Sequence, residues 1–562
     1  MYILIEEEKY DLEVLNKLIP ERFITELTNN KAKVSYVGYY NNFKISKMII
    51  ILPKIFIEGG LIFDNISPNE LINNKLTDAF KKYDKTINEL NYLHKFNLDI
   101  YLSLKKYKQR ISDIISAKKE HTNSILSNIP NNYHSELDTI FSLINFYKEN
   151  KNIFIFHKKQ TLSNHKNKIN WNRTISNGTP IIQDSYPIYL NISTTRKVID
   201  YEEELLTIFY SLLNFFNKEY GFNIKLDPNY KTIKIKDPEL FVKQSIKKIK
   251  KIKHKYFSDK LKKIYKLLLI YFEKKLVSSS KIGNSEYILS SNFNLVFEDM
   301  IDHLISDYKT TFLKNQSDGK VVDHLFKFNS LFCEDKIYYV GDSKYYKDTT
   351  SYSLNTIYKQ HTYAKNLIQY NINIHNSDGN GEYLKSSQGV RYRDEITEGY
   401  NISPNFFIQG YINHKKIYDA TFNFEQDNSN EKVNIHFNNR LFDRDTLIIH
   451  NFKINFNYVL KSYTSKNDLE EIKEIIYKRI KESILIYFSN EYNFYIVTPN
   501  IDFEDFLNKY FRILNGKIYR DSIMTNSLFL ALSKNTNFNE ENQNILNLIE
   551  QSANIELLDI IH

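Results

Sequence analysis

At 562 residues, with 42% hydrophobic and 25% charged residues and a net charge of +9, the chain has length for about three domains and several buried cores. Its single cysteine, Cys333, excludes an intramolecular disulfide and a thiolate zinc cage, and reads as a small buried apolar residue. No apolar run approaches membrane-spanning length, Ile264–Phe272 being short and lysine-flanked. The acidic start MYILIEEEKY also lacks a basic segment followed by an apolar core, so a soluble cytoplasmic protein with no membrane contact is expected. Lysine, asparagine, isoleucine and tyrosine are abundant throughout, so the positive charge alone says little about partners.

Residues 1–60 read as β-rich: KVSYVGYY and KMIIILPKIFI are strand runs about a polar turn at Asn41-Asn42, with Pro53 breaking the second. From about 67 to 150 the pattern is mainly helical, and a mixed stretch follows to about 195. Within it, NHKNKINWNR (Asn164–Arg173) sets Lys168 and Arg173 beside the only tryptophan, Trp171. That combination suits a grip on nucleic acid by stacking and charge, and Trp171 suits a core anchor equally well. A linker is expected near Tyr186–Lys197, then a helix over Tyr201–Glu219 with acids in its first turn. Basic helices cover about 238–275. In Lys243–Lys255, Ile246, Ile249 and Ile252 mark one stripe; the lysines around it form a solvated face or, through Lys247, Lys250 and Lys251, sequence-blind phosphate contacts.

The stretch after residue 290 carries the chemistry. Asn292–Asp307 has Phe293, Phe297, Met300, Ile301 and Leu304 at helical spacing, with Glu298 at the stripe's edge. Lys320–Phe326 and Lys336–Tyr346 are strand-like and carry Asp323 and Asp342. Side chains on a strand alternate, so Asp342 and Lys344 share a face with Tyr338 and Val340, while Tyr339, Gly341 and Ser343 face the other way. If the strands pair, Asp323 comes beside Asp342. Two carboxylates and an ammonium at one point need something to offset the repulsion, and hard oxygen ligands suit Mg²⁺. Such a metal ionises a water, which Lys344 is placed to orient. An acid two residues before a lysine is common by itself, as Glu7-Glu8-Lys9 shows, so the weight rests on context.

Downstream, Leu354–Ile368 reads as a helix with Leu354, Ile357, Tyr358, His361 and Leu367 on one side; it carries Gln360, and His361 reads as packing. A polar insertion over 371–396 precedes β runs at Asn405–Ile412, Val433–Phe437 and Thr446–Leu460, a helix over Asp468–Phe488, and a tail with one strand, FYIVTP, and helices. The block RLFDRDTL, with Arg440, Asp443, Arg444 and Asp445, reads as an ion-pair network or as Arg440 and Arg444 on DNA phosphate or a partner protein. His436 with Asn438 and Asn439 lacks further metal ligands. Neither a G-x-x-x-x-G-K-[ST] phosphate loop nor an H-E-x-x-H helix occurs, which argues against nucleotide triphosphate hydrolysis and a zinc hydrolase.

Helix with Glu298, strand with Asp323, strand with Asp342-x-Lys344, helix with Gln360: this order resembles the PD-(D/E)XK nuclease superfamily. The runs GDSKYYK, SPNFFIQGY (403–411) and NRLFDRDTLIIHNFKINFNYVL (439–460) resemble the LlaJI-type restriction endonucleases, themselves similar to McrC, the nuclease subunit of the McrBC modification-dependent restriction system. ILPKIFIEGG (51–60) and KINWNRTI (168–175) resemble N-terminal segments of that family. The resemblance implies a multi-domain α/β (α+β) protein. A mixed β and helical region, 1–190, serves recognition or partner engagement; a basic helical connector, 191–285, follows; and 286–562 holds a nuclease core of a mixed central sheet flanked by helices, with a C-terminal extension.

Carried over by position, Asp323, Asp342 and Glu298 hold the metal, Lys344 is the catalytic lysine, and Gln360 is the glutamine that follows the core in many relatives. Val322 stands where the superfamily name has proline, and Tyr363 follows Gln360 by three places rather than four. The expected activity is a restriction endonuclease acting on double-stranded DNA with Mg²⁺, Mn²⁺ substituting, in restriction–modification or phage defence, with a homodimer cutting both strands. The alternatives are a McrC-like subunit dependent on a separate AAA+ GTPase of McrB type, and a non-catalytic DNA-binding or scaffold protein.

Overall fold

The computed structural model describes residues 1–43, 47–63, 65–73, 76–83, 85, 87–113, 124–129, 135–150, 155–163, 168–280, 285–307, 311–314, 321–346, 352–377, 390–427, 439–465 and 469–561. It is a mixed α/β protein with several sheets, and one hydrophobic core runs through residues as far apart as Met1 and Ala531.

Two runs near the start are buried on both faces and form a central hairpin: Val37–Asn42 pairs antiparallel with the isoleucine-rich Lys47–Leu52, and Pro53, which has no N–H to give, ends the second strand. Tyr2–Ile5 joins in parallel at one side; Ser285–Ser290 and then Ile125–Ser127 join antiparallel at the other. Gly38, at φ +141°, allows the Ser285–Ser290 strand to approach, since a Cβ there would lie 2.3 Å from the Ile288 carbonyl oxygen. Helix Ile87–Asp113 packs beneath. Helix Glu136–Glu149 starts at a capping box in which Ser135 and Asp138 bond each other's backbone N–H. Helices Glu204–Tyr220, Pro238–Lys251 and Asp259–Ser280 follow, the second capped by Asp237 with proline in its first turn.

The sheet that carries the candidate site has the order His324–Asn329, Lys336–Lys344, Ser403–Tyr411, Leu447–Asn455, Phe424–Gln426; its two outer pairings are antiparallel and its two inner ones parallel. Helices cover both faces. Phe293–Ile305 lies against one, with Phe297 so close to Gly410 that a Cβ there would sit 2.9 Å from the ring. Leu354–Ser377 lies against the other, where Ile357 packs on Phe407 and Ile449. Helix Glu470–Glu491 leads to an antiparallel sheet of Ile518–Tyr519, Leu528–Ser533, Tyr492–Pro499 and Ala553–Leu558, which shares a separate core with helices Phe503–Leu514 and Asn539–Ile549. Among the described residues no helix is long and apolar enough to cross a membrane.

Four expectations need correction. The stretch Tyr186–Lys197 is not a linker: strand Ser193–Ile199 pairs along its whole length with His157–Ser163, so a division at residue 190 cuts a small sheet. Ser285–Ser290 pairs with Val37–Asn42 in the amino-terminal sheet, so a division between residues 285 and 286 runs through a strand of that sheet. The β run Thr446–Leu460 stops at Asn455, whose side chain accepts from the Asn457 N–H and starts helix Phe456–Thr464. The tail after 490 holds four strands rather than one. Val433–Phe437, His436, Asn438 and the middle of the polar insertion (378–389) lie outside the described residues.

Candidate active site

The register of two strands builds the centre. His324 pairs with Gly341, so in this antiparallel ladder Asp323 stands opposite Asp342. Their carboxyls hydrogen-bond to each other, and Lys344, two residues on and on the same face, donates to Asp342 Oδ2. Glu298 approaches from helix Phe293–Ile305, near enough to feel both Asp342 and Lys344. It stands back from the pair, however. Among the described residues, the one trio of His, Cys, Asp or Glu whose ligand atoms all lie within 4.8 Å of each other is Cys333, Asp335 and Asp521. That trio is structural: Asp335 accepts from Tyr519 at 2.7 Å and pairs with Arg391 at 3.4 Å, and burial pushes the Cys333 thiol up to about 12.

Electrostatics at the centre follow from crowding. Burial, then repulsion from Asp342 and Glu298, pushes Asp323 well above the carboxylate range. Burial and the Asp342 charge bring Glu298 up to about 8. At Asp342 burial acts in the same upward direction, but the hydrogen bond from Asp323 and the Lys344 ammonium outweigh it and hold this carboxyl low. One ionised and one protonated carboxyl, sharing a proton beside an ammonium, is a donor set that a divalent cation fits by displacing that proton.

Two neighbours were not predicted as part of this centre. Burial disfavours the charge of Lys359, yet its hydrogen bond with Tyr363 and the Asp342 and Asp323 carboxylates raise its affinity for the proton. Lys359 and Tyr363 are one helical turn apart on Leu354–Ser377, so their i, i+4 spacing was the available signal. Gln409 sits beside Lys344 in the parallel register, buried, with an Nε2 that has no partner among the described residues. Gln360, expected in the chemistry, is wholly buried. It donates from Nε2 to the Val340 carbonyl at 3.0 Å, clamping the strand two residues before Asp342.

The proposed DNA-binding side chains lie on other elements. Lys247, Lys250 and Lys251 are exposed on helix Pro238–Lys251, with Lys250 paired to Glu273 at 3.6 Å while Ile246 and Ile249 face the core. Lys168 and Arg173 are exposed, and Trp171 is 53% exposed, so it is not a core anchor. Arg440 pairs with Asp443 at 3.0 Å within the RLFDRDTL block, while Asp445 pairs with Lys365 at 3.0 Å and Arg444 bonds Gln369, which tie the block to helix Leu354–Ser377. Asn439 is buried and bonds Asn542 and the Ser533 N–H. His361 is buried on its helix. No protein-family model, curated protein or solved structure matches the chain, so the centre is read from its own geometry.

Proposed function

We propose that the chain is a metal-dependent DNA endonuclease of the PD-(D/E)XK type, resembling the LlaJI-type restriction enzymes and acting in restriction–modification or phage defence. The observation that carries this reading is the pairing of Asp323 with Asp342, with Lys344 on the same face, on a mixed sheet flanked by helices. Mg²⁺, or Mn²⁺ in its place, held by Asp323 and Asp342 with Glu298 reaching it directly or through water, supplies charge neutralisation and a more acidic water. Lys344 orients that water in line with the scissile bond and stabilises negative charge on the phosphate. The water oxygen bonds to phosphorus, the bond to the 3′-oxygen breaks, and a 5′-phosphate remains. Lys359 stands ready to hold a phosphate oxygen, and a pair of chains cuts both strands.

Asp342→Ala and Lys344→Ala are the direct tests. Both should abolish cleavage of double-stranded DNA while thermal unfolding and metal-free DNA binding stay near wild type. Near-normal cleavage by Asp342→Ala removes this centre from consideration. Calorimetric Mg²⁺ titration of wild type against Asp323→Ala separates an enzyme from a scaffold with a decayed site.

One feature favours the narrower reading of a McrC-like subunit that works with a separate AAA+ GTPase. Within residues 171–190, Trp171 (53%), Ile175 (57%), Ile182 (74%), Tyr186 (74%) and Leu190 (66%) are all exposed, and exposed apolar side chains so frequent in one stretch suit a protein contact. Cleavage by the purified chain alone argues against an obligate motor.

A further inference from the structure

The sheet face turned away from the carboxylates carries a buried polar chain that takes no direct part in the chemistry above. Asp302 Oδ1 accepts from Ser306 Oγ, from Lys314 Nζ and from His324 Nδ1, the last at 3.3 Å. His324 Nε2 bonds Ser343 Oγ, and Lys314 Nζ also donates to the Asp323 carbonyl oxygen at 2.8 Å. His324 is 0% exposed and Ser343 4%. The Asp302 carboxylate can only accept, so His324 Nδ1–H is the donor toward it, and Nε2 is left to bond the Ser343 hydroxyl. An Asp–His–Ser order normally suggests a nucleophile. Here the hydroxyl is sealed behind the sheet, where no external substrate reaches it.

Its placement in the chain gives this cluster another meaning. His324 directly follows Asp323, Ser343 lies between Asp342 and Lys344, and Asp302 is one helical turn after Glu298. Lys314 holds the backbone of Asp323 itself. Each element that presents an acid to the centre is therefore tied, at the residue beside or one turn from that acid, to a single connected set of hydrogen bonds. A metal site needs its oxygens held to a fraction of an ångström, and hydrogen bonds behind the ligands supply that rigidity. Without it, Asp323 and Asp342 would relax apart to reduce their repulsion.

We infer that Asp302, Lys314, His324 and Ser343 are positioning residues that fix the spacing of Asp323, Asp342 and Glu298 for a divalent cation. This rests on the endonuclease reading of that centre. The predicted signature is a defect in metal use rather than in the fold or in the cleavage step.

The test compares full-length wild type, Ser343→Ala and Asp302→Asn. Three quantities are read: the Mg²⁺ concentration giving half-maximal cleavage, the rate at saturating Mg²⁺, and the thermal midpoint in chelator. Removing a hydrogen bond behind a metal ligand typically weakens metal affinity by about 10- to 100-fold. Ser343→Ala should accordingly raise the half-saturating Mg²⁺ at least about tenfold, with most of the rate recovered at saturation. Asp302→Asn keeps the shape of the side chain and serves as the second variant if Ser343→Ala does not fold. An unchanged half-saturating concentration in a folded variant overturns the positioning role while leaving the enzyme intact. Wild type that neither binds Mg²⁺ nor cleaves overturns the endonuclease reading, and the positioning role with it.

Discussion

Glu298→Gln tests whether the centre is under electrostatic load. Burial, then the Asp342 carboxylate, moves the Glu298 carboxyl from its ordinary 4.5 to about 8. A raised acid favours the folded state only while it is protonated, so this contribution is complete below about pH 4.5 and is lost as pH rises through about 8. At about 1.4 kcal/mol for each tenfold change in proton affinity, the loss is on the order of 3–5 kcal/mol. Glutamine has the same shape and never ionises. In chelator, wild type and variant should unfold at nearly the same temperature at pH 5. By pH 9 the variant should be the more stable, by about 3–4 °C for a chain of 562 residues. Mg²⁺ added at pH 9 should then stabilise wild type by more than it stabilises the variant, because the cation replaces the missing proton. An equal gap between the two proteins at pH 5 and pH 9, or no response of wild type to Mg²⁺, would refute the reasoning.

A Cβ at Gly341 would lie 2.2 Å from the Phe406 ring, so Gly341→Ala should destabilise the protein by about 1–3 kcal/mol and slow cleavage by shifting the Asp342 strand; denaturant melts and rate measurements check both. Burial depresses His94 from 6.5 to about 4, so its contribution to stability is present above pH 6.5 and is lost as pH falls through 4, by up to about 3 kcal/mol. The chemical denaturation of His94→Asn should show a correspondingly flatter acid limb. Lys359→Ala should weaken DNA binding or slow cleavage without raising the half-saturating Mg²⁺, since loss of a cation near the acids cannot weaken metal binding; this distinguishes a phosphate contact from a metal-site defect. DNA affinity of the metal-free protein, measured by anisotropy, should fall linearly on a log–log plot against salt; a flat plot speaks against phosphate contacts.

Local pattern was enough for what depends on near neighbours. Alternation put Asp342 and Lys344 on one face, the apolar spacing placed Glu298 at the edge of a helix, and Pro53 marked where a strand must end. Phe452, Ile454 and Phe456 continue a two-residue alternation past the true strand end, which hid the Asn455 cap, because a cap is one hydrogen bond and not a period. The apolar run Leu528–Ser533 is buried on both faces and so has no alternation to read.

The pairing of Ser285–Ser290 with Val37–Asn42, more than two hundred residues away, has no local signature, since backbone hydrogen bonds in a sheet are indifferent to which side chains flank them. The same holds at the centre. The types of Glu298, Asp323, Asp342 and Lys344 were legible in the sequence. That Glu298 stands back from the pair, that Gln360 grips backbone, and that Lys359 and the His324–Ser343 link close around the acids were set by strand register and helix docking. Residue chemistry is a property of the chain, but the distance between two charges, and so their repulsion, exists only once the chain has folded.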